Sequence, residues 1–573
     1  MAASNDKFVE SLDNTTKLET LKSLRRNVDW KIEEERRKLL NRLYPLVKVW
    51  TDQLPNLRDI FRAEEIDWLL TEDVRTNLKF RRGNLIKFAI KTNYNDEPEF
   101  DEDGRPLLRR TTPIHIAARI NDFRIVHDLF KIYNKFHANY VDELGMTHFH
   151  AACKYGCYEV VEIFLKLGQN PNCLPPPLNL ALDGYCFNVA NLLLDRGADP
   201  NLPDEEGTTP LHVACKDYDT TEMVQKFIEL NVRVDALDNR GRTPLHYAAY
   251  VESGHQMNLE VLLRNGANPN LADVEGLTPL HIICQRIWED DDTVELFFKI
   301  CDEKNQTVQL DAKDKKGRTP LYHAVTSLLT NSIDPLLNRG ANLSNFIFPT
   351  ESDFDERFKE WSGYDYYNYY DCKLKLASGV LRIIEQLEKR GYELDQSDVL
   401  TVMKLFAKYE LFQKSQDIEK VLNDDEEFAA NAKKIFILPE GEDTDDSEDE
   451  KQFEEVVRKT EDLPVGQSLT LYDLVRLQPE QAQKQLTYSD YNNFWKCRKL
   501  CYLSENHCRE ACEIHLCEKL SKRFFRRWAI YPFWELIHHR LPLECCEMII
   551  QHLRNEDLYN IILVVTGQSQ DSK

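Results

Sequence analysis

Six tetrapeptides decide how this chain folds: Thr112-Pro113-Ile114-His115, Thr147-His148-Phe149-His150, Thr209-Pro210-Leu211-His212, Thr243-Pro244-Leu245-His246, Thr278-Pro279-Leu280-His281 and Thr319-Pro320-Leu321-Tyr322. A degenerate copy, Pro176-Pro177-Leu178-Asn179, fills the gap between the second and third. Counted from the first residue of each copy, the steps are 35, 29, 33, 34, 35 and 41 residues. Each part of the phrase has a mechanical duty. Threonine caps a helix, and proline at the first helical position needs no N–H partner. Small pairs such as Ala117-Ala118, Ala151-Ala152 and Ala248-Ala249 let two helices approach closely. A second, apolar helix follows, as in Val189 to Leu194, and Gly168, Gly197, Gly266 or Gly340 stands just past its end. Upstream of most copies an Asp-x-x-Gly segment fits a type I turn. The unit is therefore turn, helix, turn, helix, and it cannot bury its apolar face without a stacked neighbour.

A period near ~33 residues built on Thr-Pro-Leu-His is similar to that of ankyrin repeats, and residues 112–345 resemble seven of them. The expected fold class is all-α: an ankyrin-repeat solenoid flanked by an N-terminal helical cap and a C-terminal helical domain. Residues 1–80 read as the helical N-terminal region, with Leu39, Leu40, Leu43, Leu46 and Val47 at helical spacing. Residues 81–345 read as the repeat array, opened by an irregular repeat. There Thr112 follows the Asp101-to-Gly104 turn by eight residues where later copies use two, an excess of six. Residues 346–439 read as a helical extension, 440–460 as an acidic flexible linker and 461–573 as the C-terminal domain.

Composition narrows the function. A formal net charge of -24 argues against nucleic acid as the main partner, because phosphate recognition needs a basic face. No apolar h-region occupies Met1 to Lys17, and no run reaches the ~18 apolar residues of a membrane span. The expectation is a protein of the cytoplasm or nucleus, with no membrane partner and the 15 cysteines as reduced thiols. No phosphate loop, Gly-x-Ser-x-Gly, His-Glu-x-x-His or kinase signature is present, so no catalytic residue, cofactor or metal is assigned. The recurring histidines share one slot ~33 residues apart, and Asn179 or Tyr322 can occupy it, which reads as hydrogen bonding between stacked units.

Because framework positions are spent on packing, the variable residues inside the turns carry the recognition. They are Glu143-Leu144, Glu205-Glu206, Asn239-Arg240, Val274-Glu275 and Lys315-Lys316. By the ankyrin resemblance these tips line a target-binding groove, acidic near Glu205 and basic near Lys316. The loop Trp288-to-Asp292 and the aromatic stretch Trp361-to-Tyr370 read as a longer loop and a cover for the last repeat. The acidic run Glu440-to-Glu450, with Ser447 as a candidate phosphorylation site, cannot fold alone.

From Ser468 a helical module carries seven cysteines: Cys497, Cys501, Cys508, Cys512, Cys517, Cys545 and Cys546. Their spacing lacks the two-residue knuckles and turn glycines of a zinc site, and they read as small packing residues. Lys519 to Trp528 reads as a basic amphipathic helix with an outward charged face. The ending, Leu541-Pro542-Leu543-Glu544-Cys545-Cys546-Glu547-Met548-Ile549-Ile550-Gln551-His552-Leu553, then Asp557-Leu558, resembles the front half of an F-box. Ankyrin repeats followed by such a module resemble the PRANC family of poxviruses, parasitoid wasps and intracellular bacterial symbionts. That resemblance implies docking on a Skp-type adaptor of an SCF cullin-RING ubiquitin ligase through Leu541, Pro542, Leu543, Ile549, Ile550, Leu553 and Leu558. Only 15 residues follow Leu558, so the back half of a full F-box is missing. The implied function is a non-catalytic adaptor that brings a bound target to ubiquitination. The alternative is a stoichiometric binder or inhibitor of a signalling or transcription factor, without ligase recruitment.

Overall fold

The structure, a computed structural model, describes residues 13–50, 53–75, 83–251, 256–286, 293–362, 373–412, 426–437, 469–496, 500, 503 and 506–567. The loop at Trp288-to-Asp292, the aromatic stretch from Gly363 to Tyr370, the acidic run Glu440-to-Glu450, Cys497 and Cys501 lie outside the described residues, as does the side chain of Cys508. The chain divides into two compact units, one running through Asn268 and one from Pro269 onward.

The first unit opens with four helices: α1 (Asn14–Arg26), α2 (Glu33–Lys48), α3 (Ala63–Arg75) and α4 (Asn84–Lys91). Leu39, Leu40, Leu43, Leu46 and Val47, apolar at helical spacing, are all buried in its core. Asp73 holds the end of α4 in place of a local cap. Its carboxylate accepts the backbone N–H of Leu85 at 2.9 Å and of Ile86 at 3.0 Å, and the Tyr44 hydroxyl at 3.1 Å. Burial pushes this carboxyl up to about 6. A second buried cluster joins α3 to the first repeat. Arg110 donates to Asp67 at 2.9 Å and to Asp96 at 3.0 Å. Tyr133 and Tyr140 donate to the same two carboxylates at 2.6 and 2.7 Å.

Paired helices follow in the same unit: α5 (Pro113–Arg119) with α6 (Phe123–Leu129), α7 (His148–Lys154) with α8 (Tyr158–Lys166), α9 (Pro177–Asp183) with α10 (Phe187–Asp195), α11 (Pro210–Ala214) with α12 (Thr221–Glu229), and α13 (Pro244–Tyr250) with α14 (Met257–Arg264). Each first helix starts right after its threonine or proline. Glycines in the left-handed region, such as Gly197 at φ 90° and Gly266 at φ 89°, end the second helices, where a Cβ would be strained.

The second unit holds two more pairs, α15 (Pro279–Ile283) with α16 (Thr293–Glu303) and α17 (Pro320–Thr326) with α18 (Thr330–Asn338). Beyond them come α19 (Glu351–Ser362), α20 (Lys373–Lys389), α21 (Gln396–Lys408) and α22 (Glu426–Ala432). A two-residue antiparallel pair, β1 (Phe436–Ile437) with β2 (Leu469–Thr470), leads to α23 (Leu471–Arg476), α24 (Pro479–Gln485), α25 (Tyr488–Lys496), α26 (Asn506–Leu536), α27 (Leu543–Ile550) and α28 (Asn555–Val565). Within this unit α20 packs against α18, α25 and α26. The rings of Phe406, Phe412, Phe525 and Tyr559 meet edge-on or tilted at 5.4 to 5.9 Å, so the helices of 373–412 and those after Asn506 share one core.

The basic helix of the sequence reading keeps an outward charged edge at Arg523 and Arg527 and buries Phe524 and Phe525, but its two lysines turn inward. Lys519 is buried and donates to the Leu474 carbonyl at 3.0 Å and to the carbonyls of Val475 and Leu477. Lys522, also buried, reaches the Leu553 carbonyl and Glu518. The cations turn inward because α23 and the segment after α27 end there, leaving carbonyls that need donors. Cys512 and Cys517 are buried thiols among apolar side chains, the packing role read from their spacing.

Removing the Asp73 carboxylate orphans two buried amides. Asp73→Ala is expected to cost the chain about 2 kcal/mol in urea unfolding. Unchanged stability would show that α4 does not depend on this acceptor.

Candidate protein-binding surfaces

The turns are built before they can recognise anything. In each Asp-x-x-Gly segment one aspartate oxygen accepts the backbone N–H groups two and four residues on. Asp142 takes Leu144 and Met146, each at 2.9 Å; Asp204 takes Glu206 at 3.1 Å and Thr208 at 2.7 Å. Asp238 takes Arg240 and Arg242, each at 2.8 Å. In the second unit Asp273 takes Glu275 and Leu277, and Asp314 takes Lys316 and Arg318, at 2.8 to 2.9 Å. The second oxygen is tied to a neighbouring base at three turns: Arg119 to Asp142 at 2.7 Å, Arg242 to Asp238 at 3.1 Å and Arg318 to Asp314 at 2.8 Å. With the aspartate closing each segment on itself, the two middle side chains project outward.

All ten tip residues of the sequence reading are exposed: Glu143, Leu144, Glu205, Glu206, Asn239, Arg240, Val274, Glu275, Lys315 and Lys316. Leu144 is 72 % exposed, a large apolar side chain left in water. Neighbouring tips are stitched by backbone bonds. Asn239 donates its backbone N–H to the Glu206 carbonyl and its side-chain amide to Glu205, both at 2.9 Å, and in the second unit Lys315 donates to the Glu275 carbonyl at 2.8 Å. The basic end is softened, since Lys315 and Lys316 sit 3.6 Å from the exposed carboxylates of Glu275 and Glu356. Such exposed pairs are weak and leave both lysines open to exchange partners.

The repeated histidines position the tips. In every intact Thr-x-x-His copy the threonine backbone N–H donates to the histidine Nδ1 at 3.0 to 3.1 Å. The pair forms a capping box, with histidine doing the work usually given to glutamate or glutamine. With Nδ1 accepting, the proton sits on Nε2, which is buried without a partner at His115 but donates onward at two other copies. His212 Nε2 reaches the Arg242 carbonyl at 3.0 Å and His281 Nε2 the Arg318 carbonyl at 3.3 Å, each just past the glycine of the next turn. Asn179, the substitute in the degenerate copy, donates to the equivalent Thr208 carbonyl at 2.8 Å. His150, which faces the proline-rich copy, finds the Cys173 sulfur at 3.2 Å instead. Among the described residues no group of three or more His, Cys, Asp or Glu side chains is arranged to hold a metal.

The C-terminal docking residues are divided by the fold. Leu541, Pro542 and Ile549 are exposed, Leu543 and Leu553 are half-buried, and Ile550 and Leu558 are buried within the unit's own core. Asn555 fixes α28 from inside, donating its side-chain amide to the Glu518 carbonyl at 3.0 Å and to Ser521 at 2.8 Å. Cys546 and Ile550 face inward, while Cys545, Met548 and Ile549 face out on α27 and Leu541 is exposed just ahead of it. Met548, 65 % exposed, is not among the residues that the resemblance implies.

The ankyrin-repeat family matches this chain in three copies, over residues 78–174, 178–273 and 251–346. Residues 78–346 are ankyrin repeats. An ankyrin repeat protein of Acanthamoeba polyphaga mimivirus is 26% identical over 356 residues, 56% of this chain and 43% of that protein. Dog inversin is 28% identical over 240 residues, 41% of this chain and 22% of inversin. Mouse Rabankyrin-5 is 28% identical over 197 residues, 31% of this chain and 16% of its own length. The chain thus spans less than half the length of each of these relatives. Ankyrin repeats act by protein–protein interaction, through the surface that stacking creates. Among the described residues no helix is long and apolar enough to cross a membrane.

Burial holds the repeat histidines neutral. It pushes His115, His212 and His281 down from their ordinary value, His148 well below it, His150 to about 4 and His323 to about 3. An unfolded chain takes up these protons near pH 6.5, so this stability is complete above that pH and is lost as the pH falls below it. His150 alone accounts for about 2 kcal/mol between pH 6.5 and 5. Asp67, Asp73 and Asp398, raised by burial, work in the opposite sense over the same descent, but they are three against six repeat histidines. Asp142, Asp238 and Asp314 resist burial through their amide and arginine donors, sit below the ordinary carboxylate value, and matter only in stronger acid. The melting temperature is expected to fall by more than ~5 °C between pH 7.5 and 5.0. A flat or rising profile would contradict the neutral-histidine arrangement.

Proposed function

We propose that this chain is a non-catalytic adaptor. Its ankyrin turn tips hold a target protein, and its C-terminal F-box-like segment recruits a Skp-type adaptor of an SCF cullin-RING ubiquitin ligase, so that the target is ubiquitinated. The adaptor changes no bonds itself; it raises the local concentration of target lysines at the ligase. The observation that carries this reading is the outward apolar stripe of α27. Met548 and Ile549 on the helix, with Leu541 and Pro542 just ahead of it, present apolar side chains to water where a self-contained domain would bury them.

The stripe is narrower than the full resemblance implies, because Ile550 and Leu558 are committed to the interior. The docking set is therefore Leu541, Pro542 and Ile549, edged by Leu543 and Leu553 and extended by Met548. That reduced set also supports the second reading, a stoichiometric binder that sequesters its target, since a smaller apolar face buries less area on a partner. The acidic composition and the absence of a described membrane-crossing helix fit action on proteins of the cytoplasm or nucleus.

A pull-down of the full chain with a purified Skp-type adaptor separates the two readings. Leu541→Ala with Ile549→Ala is expected to weaken capture at least tenfold while leaving the melting temperature unchanged. Ile550→Ala is expected instead to cost about 2–4 kcal/mol of stability, as a truncation inside a core. No capture by the parent chain, or equal capture by the double variant, would leave sequestration as the function.

A further inference from the structure

The excess of six residues before the first Thr-Pro motif makes a projecting finger. Its tip is an ordinary repeat turn: Asp101 accepts the N–H groups of Asp103 at 3.0 Å and Arg105 at 2.8 Å, two and four residues on. The turn stands on a short hairpin in which Phe100 lies opposite Pro106, closed by Asp101 N–H to the Arg105 carbonyl at 2.9 Å and Leu107 N–H to the Glu99 carbonyl at 2.8 Å. The returning strand continues beside the next repeat, where Val141 donates to the Leu108 carbonyl at 2.9 Å and Arg110 to the Val141 carbonyl at 3.1 Å. The following residues form the Asp142 turn that carries Leu144.

Alternation along the strand places Pro106 and Leu108 on the face that Phe100 shares. Phe100 is 55 % exposed and Leu108 36 %, and Leu144, on the turn that follows Val141, is 72 % exposed. Large apolar side chains are thus open to water on the finger and on the turn that its returning strand leads to. Its rim is acidic. Glu99, Asp101, Glu102, Asp103 and Glu143 are exposed or lie at the turn, against the exposed guanidiniums of Arg105 and Arg109. Glu97 does not enter this balance, because Arg58 neutralises it at 3.0 Å.

We infer that this finger is a docking site for an extended, basic segment of a partner protein whose apolar side chains alternate with lysine or arginine. Alternation sets the apolar residues against Phe100, Leu108 and Leu144, and the intervening cations face the acidic rim. The five carboxylates against two guanidiniums set the sign of the charge, and the apolar trio sets the register. An acidic segment is repelled, and a purely apolar one leaves the carboxylates unanswered. The inference rests on the reading of the turn edge as the binding surface and adds a partner chemistry to its first repeat.

The probe is a fluorescent nine-residue peptide, Lys-Val-Arg-Leu-Lys-Val-Arg-Leu-Lys, titrated with the full chain, beside a counterpart carrying Glu at each basic position. Binding of the basic peptide only is expected, weakened at least tenfold by Phe100→Ala with Leu144→Ala and, separately, by Glu102→Lys with Asp103→Lys. Circular dichroism melts of each variant confirm that the exposed substitutions leave the fold intact. Glu205→Lys with Glu206→Lys is the control on a distant tip. If only that control loses the peptide, the turn edge binds basic segments and the finger inference falls. If all variants bind equally, or the acidic peptide binds as well, the finger and the turn-edge chemistry both fail.

Discussion

One two-sided hydrogen bond, complete at His212 and His281, joins a repeat to the turn of the next. A buried imidazole takes the backbone N–H of its own helix cap on Nδ1 and returns a proton from Nε2 to the carbonyl just past the next turn. It therefore caps a helix and locks the adjacent turn with one ring. The ring must be neutral, because a second ring proton would face the cap amide instead of accepting from it. Burial supplies that condition, and the aspartate of each turn supplies the other half of the frame by accepting two amides. The amides two and four residues past the aspartate are thus taken up within the turn, and the two tip side chains face solvent.

The C-terminal helices solve the same accounting problem by different means. Their helix ends are satisfied at a distance: Lys519 serves the end of α23, Lys522 the carbonyl of Leu553, and Asn555 the carbonyl of Glu518. Buried cations held by carbonyls are costly unless fully engaged, which ties α26 rigidly to its neighbours. That rigidity leaves α27 with one face pinned inward by Cys546 and Ile550 and the other presented outward. A helix apolar on both faces can seal its own domain and still offer a surface.

The repeat frame was readable because each residue of Thr-Pro-Leu-His has a local duty that the tetrapeptide itself displays. Even the exception was informative: Asn179 in the histidine slot keeps a side-chain donor, and it reaches the same carbonyl position. The turn tips were readable for the complementary reason, since variation between copies marks positions released from packing. What could not be read depended on partners far along the chain. Lys519 and Lys522 look like an outward basic stripe, and only the helix ends of α23 and α27 pull them inside. Ile549 and Ile550 are indistinguishable as letters, and one is outside and the other inside because α26 covers one face of α27. The six extra residues before Thr112 could be counted, but their pairing with Val141 needed the fold.

The neutral, two-sided imidazole is open to direct observation. Nitrogen-15 chemical shifts of histidine-labelled protein at pH 6 should place His212 and His281 in the Nε2–H tautomer, with Nδ1 shifted as an acceptor and no titration through the ordinary histidine range. Averaged shifts that titrate near the free value of about 6.5 would show rings exposed to water and unattached to the next turn. The frame that presents the tips would then have to be held by something else.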